Sequence, residues 1–335
     1  MTRITLGFHK GVRDLRFGEE NLTRLMELGE VLLNEKREAY TNAELAQAAK
    51  GCQIVVADRL TPGGADFFDN APDVVAYIRT VTDMKNVDLE AASRNGILVT
   101  TTSATFIPGV SEWVVGQVIN LSRSFFDYIS CYRSGWVPDL QTGPRGRQLA
   151  GRTAGIIGLG RIGLQVARLF TAFDMRVLVH DPYLKDCPEG MENVGIEVLL
   201  AESDFVIPMA KYTDETEHMV NDAFLKAMKP TAFLVNASRG GLVDEAALEA
   251  ALLNGTIAGA ALDVGNGEGD VPSLRLARLP NVLATPHVAP SMDANHAQGR
   301  EAIAKVAQVL AGEMPSLALN GEHATRLARI MKGRP

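Results

Sequence analysis

No stretch of this chain approaches the roughly 20 consecutive apolar residues that a helix needs to cross a bilayer. The first residues, Met1 to Phe8, form a short strand-like run followed by charge, without the apolar core and small-residue cleavage site of a secretory signal, so the expected location is the cytoplasm. Cysteine is scarce as well. The three present, Cys52, Cys131 and Cys187, are odd in number and far apart, which excludes a disulfide framework and fits reduced thiols. Histidine is equally sparse in ligand patterns: His9, His180, His218, His296 and His323 show no metal-ligand spacing with carboxylates or cysteines, so no metal is expected. Clustered positive charge is absent, and the formal net charge is −7, which argues against nucleic-acid or acidic-membrane partners.

What the chain does have is length and alternation. Its 335 residues are enough for two domains, each burying its own core. Short apolar runs alternate with helical patterns throughout, the mark of βαβ units and mainly parallel sheets. The strand candidates are 4–8, 53–57, 74–78, 97–100, 153–157, 175–179, 205–207, 232–235, 258–262 and 282–284. Between them lie helices at about 108–121, 245–253 and 293–310, and one opening at the capping box Thr41-Asn42-Ala43-Glu44. The last helix follows the final strand, so the tail is expected to return to the first domain. The boundaries read as 1–102 with 290–335 for one domain and 103–289 for the other.

The most informative stretch is Gly155-Ile156-Ile157-Gly158-Leu159-Gly160-Arg161-Ile162-Gly163, which joins an apolar strand to an amphipathic helix through glycines spaced for a pyrophosphate. Gly158 permits the tight turn, Gly160 the close approach of backbone to phosphate, and Gly163 the close packing of helix on strand. The helix opening at Arg161 and Ile162 then faces the anion with free N–H groups. The next strand ends in His180-Asp181, about as far downstream as the ribose-binding acid of such units. A carboxylate there accepts from the 2′-hydroxyl and repels a 2′-phosphate, so the cofactor reads as NAD.

Three further polar residues follow strand ends, where open parallel sheets place ligands. Arg239 comes after 232–235, and its planar fork suits a carboxylate. Glu268 lies in the loop Gly265-Asn266-Gly267-Glu268-Gly269, and His287 in Thr285-Pro286-His287. A histidine facing a carboxylate can act as a general acid or base near neutral pH. Taken singly, Arg239 also fits a solvated loop arginine, and His287 a structural histidine.

Together with Val110-Ser111-Glu112-Trp113, Gly151-Arg152-Thr153-Ala154, Asn236-Ala237-Ser238-Arg239-Gly240-Gly241-Leu242-Val243-Asp244-Glu245 and Ala261-Leu262-Asp263-Val264, these segments make the chain resemble the D-isomer-specific 2-hydroxyacid dehydrogenases over almost its full length. The resemblance implies two doubly wound parallel-sheet domains of the α/β class, a Rossmann-type nucleotide domain and a flavodoxin-like substrate domain, with the reaction in the cleft between them. It implies Arg239 as substrate anchor, Glu268 as the carboxylate that keeps the histidine protonated, and His287 as the proton-transfer group. It places Asp263 at the nicotinamide end, Thr213 and Ala237 near the cofactor, and the usual assembly as a homodimer through the nucleotide domain.

Two departures from the family pattern stand out. Where a glycine-rich turn normally holds the substrate carboxylate by its backbone, the chain reads Arg79-Thr80-Val81-Thr82-Asp83-Met84-Lys85-Asn86. Either Thr82, Met84 and Lys85 add side-chain contacts to a larger or more polar substrate, or the loop is shifted with its backbone contacts kept. Glycine-aspartate after Glu268 and Ala289-Pro290-Ser291 after His287 alter the loop sequences further. Two rival functions share the fold: a formate- or phosphite-type dehydrogenase, against which Glu268 argues because formate enzymes usually carry glutamine there, and an NAD-sensing corepressor-like protein that binds NADH without turnover.

Overall fold

The structure, a computed structural model, describes residues 2–139, 141, 143, 146–267 and 269–332. It divides into two compact units, one made of Met1–Phe106 with Met292–Pro335 and the other of Ile107–Ser291.

The first unit is built on five parallel strands, β1 (Arg3–His9), β2 (Glu30–Asn34), β3 (Ile54–Ala57), β4 (Ala76–Arg79) and β5 (Leu98–Thr101), in the order β2-β1-β3-β4-β5. This is the flavodoxin-like doubly wound order. The inner strands carry no polar alternation because helices cover both faces of a parallel sheet. In β3, Ile54 and Val56 point to a core shared with Ala302, Val306 and Val309 of the helix Met292–Ala311, while Val55 and Ala57 point to Leu45, Phe67, Phe68 and Ala91. The C-terminal segment also reaches this sheet, where Asn320 accepts the Val99 N–H at 2.8 Å and Leu319 donates to Val99 O at 2.9 Å.

Two strands had no counterpart among those expected from the sequence. One is β2, which lies at the sheet edge and is only half-buried over most of its length, so its run of apolar residues is brief. The capping box is present: Glu44 N–H donates to Thr41 Oγ1 at 3.3 Å, and Thr41 N–H donates to the Glu44 carboxylate at 2.9 Å.

The second unit carries seven parallel strands: β6 (Thr153–Ile157), β7 (Arg176–His180), β8 (Glu192–Asn193), β9 (Phe205–Pro208), β10 (Phe233–Asn236), β11 (Gly259–Leu262) and β12 (Val282–Ala284). Their order, β12-β11-β10-β9-β6-β7-β8, reverses direction between β6 and β9, the switch point of a Rossmann sheet. The second unforeseen strand, β8, is an exposed pair of polar residues at the edge. One face of the sheet is closed by Leu199, Leu225, Leu248 and Leu252 over Leu178, Val206, Leu234 and Ala260. The helices Ile107–Arg123 and Arg161–Ala172 pack on each other and against the sheet. Among the described residues, no helix is long and apolar enough to cross a membrane.

Candidate active site

In the second unit the described residues singled out from the sequence follow the carboxyl ends of its strands. After β6, Gly158 adopts φ 93°, and a Cβ there would lie 2.8 Å from Ala210 N, so both conformation and space demand glycine. A Cβ on Gly163 would meet Gly158 O at 2.2 Å, which is how closely the helix Arg161–Ala172 sits on the turn. Gly160 caps that helix with no side-chain hydrogen bond, and nothing lies within 4 Å of the Cβ it lacks. The open space, the uncapped helix start at Arg161 and Ile162, and the absent side chain fit a pyrophosphate.

Asp181 follows β7. Its Oδ2 accepts the Leu159 N–H at 2.8 Å and its Oδ1 the Tyr183 N–H at 2.9 Å. The acid is thus tied to the glycine turn itself. Thr213 follows β9 in a loop knotted by hydroxyls: Thr213 N–H donates to Thr216 Oγ1 at 2.8 Å, and Thr216 Oγ1 donates to Lys211 O at 2.7 Å. The adjoining Tyr212 ring leaves no room for a side chain at Gly241, whose Cβ would be 2.6 Å from it.

After β10, Ala237 is buried and Ser238 donates its hydroxyl to Ala210 O at 3.1 Å, joining this loop to the one after β9. Arg239 is exposed, with Nη1 donating to Ser238 O at 2.7 Å, and its carbonyl is held by Asn236 Nδ2 at 3.0 Å. A Cβ on Gly240 would lie 2.2 Å from Gly265 O, so the arginine loop is pressed against the loop that follows β11. That second loop is closed by Gly267 N–H to Val271 O at 2.9 Å and tethered by Asn266 N–H to Glu245 Oε1 at 2.9 Å. Glu268 itself lies outside the described residues.

His287 follows β12, half-buried, at φ 55°. A non-glycine residue in this left-handed region costs about 1–2 kcal/mol and persists only where its surroundings enforce it. Here the enforcer is Asp263. Its carbonyl accepts the His287 N–H at 2.9 Å, its Oδ1 the Val288 N–H at 2.9 Å and the Thr285 hydroxyl at 2.6 Å, and its Oδ2 the Ala289 N–H at 2.8 Å. Asp263 is fully buried. The Thr285 hydroxyl in turn accepts the Trp113 indole N–H at 3.0 Å. Trp113 and Thr285 were not among the site residues read from the sequence. The available signal was that an indole N–H taken even partly out of water needs a partner.

In the first unit, the unusual loop after β4 is organised from beneath. Arg79 is fully buried, and its guanidinium donates to Asp83 O, to Asp58 O at 3.1 Å and to Asn86 Oδ1 at 2.7 Å. Asn86 Nδ2 passes the connection on to Thr61 O at 3.0 Å. No residue from 79 to 88 has a positive φ, so the loop runs its course without the freedom that glycine provides. Thr82 and Lys85 are exposed. Met84 is partly buried, and its side chain packs against the core containing Phe67, Phe68 and Tyr77, where an unbranched apolar chain gains from leaving water.

Comparison with known proteins agrees with these features. Residues 115–289 match the family described as D-isomer specific 2-hydroxyacid dehydrogenase, NAD binding domain. A glyoxylate reductase of Thermofilum pendens is 32% identical, with 95% of this chain and 94% of that protein covered. A glyoxylate reductase of Korarchaeum cryptofilum is 33% identical over 91% of this chain and 93% of its own length. Among solved structures, the TT0316 protein of Thermus thermophilus superposes with a TM-score of 0.80 at 30% identity, covering 95% of this chain and all (100%) of that one.

Proposed function

The chain belongs to the D-isomer-specific 2-hydroxyacid dehydrogenases, and from that membership we propose that it interconverts a D-2-hydroxy acid and its 2-oxo acid, with NAD as the cofactor. The observation that carries this reading is the convergence of the Arg239, Asp263 and His287 loops on the same sheet edge as the glycine turn and Asp181. Bound NAD supplies the hydride acceptor or, when reduced, the donor at the substrate C2.

The chain's own residues do the rest. The Arg239 guanidinium, exposed and carried on a loop fixed by Asn236, binds the substrate carboxylate bidentately and polarises the neighbouring carbonyl. The His287 imidazole gives its proton to the carbonyl oxygen as the alcohol forms, and takes it back in the oxidative direction. Glu268 keeps the imidazole in its protonated form. Asp181 selects NAD over NADP. Thr213 and Ala237 line the cofactor's path, and the buried Asp263 holds the loop at the nicotinamide end. Residues 107–291 act as the nucleotide domain, and residues 1–106 with 292–335 as the substrate domain. Thr82 and Lys85 are offered to a polar group of the substrate.

The proposed state is a cytoplasmic homodimer. The helix Phe125–Arg133 has no buried residue and exposes Phe126 at 53%, Ile129 at 50% and Tyr132 at 64%, an apolar surface of the kind that a second copy covers. The three cysteines are free, as in a reducing compartment.

A panel of 2-oxo acids differing in size and charge, glyoxylate among them because two relatives bear that name, tests the function by NADH consumption. The expected result is reduction of at least one, with NADH preferred to NADPH. Binding of NADH without reduction of any acid would make the protein a sensor. Turnover confined to formate or phosphite would move it to the one-centre dehydrogenases.

A further inference from the structure

We propose that Trp113 and Thr285 are positioning residues for His287, acting through Asp263 as one directed hydrogen-bond chain. The proposal rests on the reading of His287 as the proton-transfer residue. Its distinguishing observation is polarity. An indole N–H only donates, and an ionised carboxylate only accepts, so the hydroxyl between them has a single permitted orientation. Trp113 Nε1–H donates to Thr285 Oγ1 at 3.0 Å, and Thr285 Oγ1–H donates to Asp263 Oδ1 at 2.6 Å. The hydroxyl proton therefore points to Asp263, and no rotamer of Thr285 competes while Trp113 is in place.

The consequence falls on the two residues between Thr285 and Val288. Asp263 uses its remaining acceptor capacity on Val288 N–H and Ala289 N–H, at 2.9 and 2.8 Å, and its backbone carbonyl on His287 N–H at 2.9 Å. Thr285 is thus clamped at one end of the turn and residues 288–289 at the other, by the same fully buried side chain. Between the clamps, His287 sits at φ 55°, a conformation it would leave if either end were released. Trp113 comes from the helix Ile107–Arg123, whose Gly109 also lies close to the segment after His287, a Cβ there meeting Ala289 O at 3.0 Å, and its indole closes the chain.

The role predicts that the chain governs catalytic rate and leaves cofactor affinity alone. Trp113→Phe keeps an aromatic ring and deletes the N–H, Thr285→Val keeps the shape and deletes the hydroxyl, and Thr285→Ser restores the hydroxyl. With the best 2-oxo acid of the panel, Trp113→Phe and Thr285→Val should each lose about tenfold in kcat, the worth of one hydrogen bond to a charged network. Thr285→Ser should stay within about twofold of wild type, and the double variant should fall little below the worse single one, because the two residues act as a unit.

NADH affinity, measured by direct binding, should hold in all four. Independent of turnover, the Trp113 indole N–H should be protected from hydrogen exchange in the wild type and lose protection in Thr285→Val. The only other tryptophan, Trp136, is 55% exposed and serves as the internal contrast. Wild-type kcat in Thr285→Val, a Thr285→Ser as slow as Thr285→Val, or NADH affinity falling in step with kcat each overturn the chain. His287→Ala with undiminished kcat overturns the underlying reading instead.

Discussion

Asp181→Ala probes cofactor choice and the turn that carries it in one substitution. The carboxylate bonds Leu159 N–H at 2.8 Å and Tyr183 N–H at 2.9 Å, and in the proposed complex it also accepts from the ribose 2′-hydroxyl. A hydrogen bond from a hydroxyl to a carboxylate is worth about 1.5–3 kcal/mol, so its loss should lower kcat/KM for NAD by roughly tenfold to a hundredfold. For NADP the same change removes a like charge facing the 2′-phosphate, a gain on the order of 1 kcal/mol at a half-exposed, salt-screened site. The NAD/NADP ratio of kcat/KM should therefore fall at least tenfold.

The two backbone N–H groups are left to water, and with about 1 kcal/mol of the turn's stability lost, Tm should drop by roughly 2–4 °C. Asp181→Asn separates the two effects: an amide oxygen still accepts one backbone N–H, so the Tm loss should shrink while the charge effect on NADP stays. Steady-state kinetics with both cofactors, alongside calorimetry, gives the answer. A ratio unchanged in both variants would refute the assignment, and a Tm loss without a ratio change would reduce Asp181 to a fastener of the turn.

Glu268→Gln should make the reduction rate begin to fall at a lower pH than in the wild type, since the charge that keeps the histidine protonated is gone; superimposable pH profiles would uncouple the pair. Lys85→Met should raise KM for dianionic 2-oxo acids well above its effect on pyruvate-sized monoanions, and a uniform change would return the lysine to the solvated surface. Glu44 is held at about 2 rather than its ordinary 4.5, chiefly by the Lys36 ammonium and then by Thr41. A depressed carboxylate stabilises fully above its unfolded value and loses that contribution as pH falls, so the Tm gap between wild type and Glu44→Gln should be constant above about pH 4.5 and close toward pH 2. A gap that persists at pH 2 would contradict this.

The strands that were legible in the sequence are those that carry a short apolar run. In β3, β9 and β11 every residue is buried and apolar, and the runs are short enough to read as strands. β2 and β8 were not, because β2 is only half-buried over most of its length and β8 is two exposed polar residues, whereas the other edge strands, β5 and β12, still carry apolar runs. Strand-end positions likewise made Asp181, Arg239 and His287 visible as candidates. What spacing does not convey is how a side chain spends its hydrogen bonds. Asp263 reads as an acid after a strand, yet its oxygens are turned to Thr285, Val288 and Ala289. Met84 and Lys85 are adjacent in the chain and face different environments, and only the folded loop tells them apart.

The buried guanidinium of Arg79 separates two properties that a glycine-rich loop keeps together. Where glycines shape a turn, the residues that define the backbone path are also the ones at its surface, and changing one alters the other. Here the path from 80 to 86 is pinned from below by Arg79 and Asn86, while the side chains of Thr82 and Lys85 stand exposed on the outside. Outward positions of this kind are free to diverge without loss of the fold, which makes the loop a place where selectivity can drift by single substitutions. Libraries built at Thr82 and Lys85 with Arg79 and Asn86 held constant would sample that freedom, whereas the same libraries on Arg79→Ala should yield mostly unfolded loops.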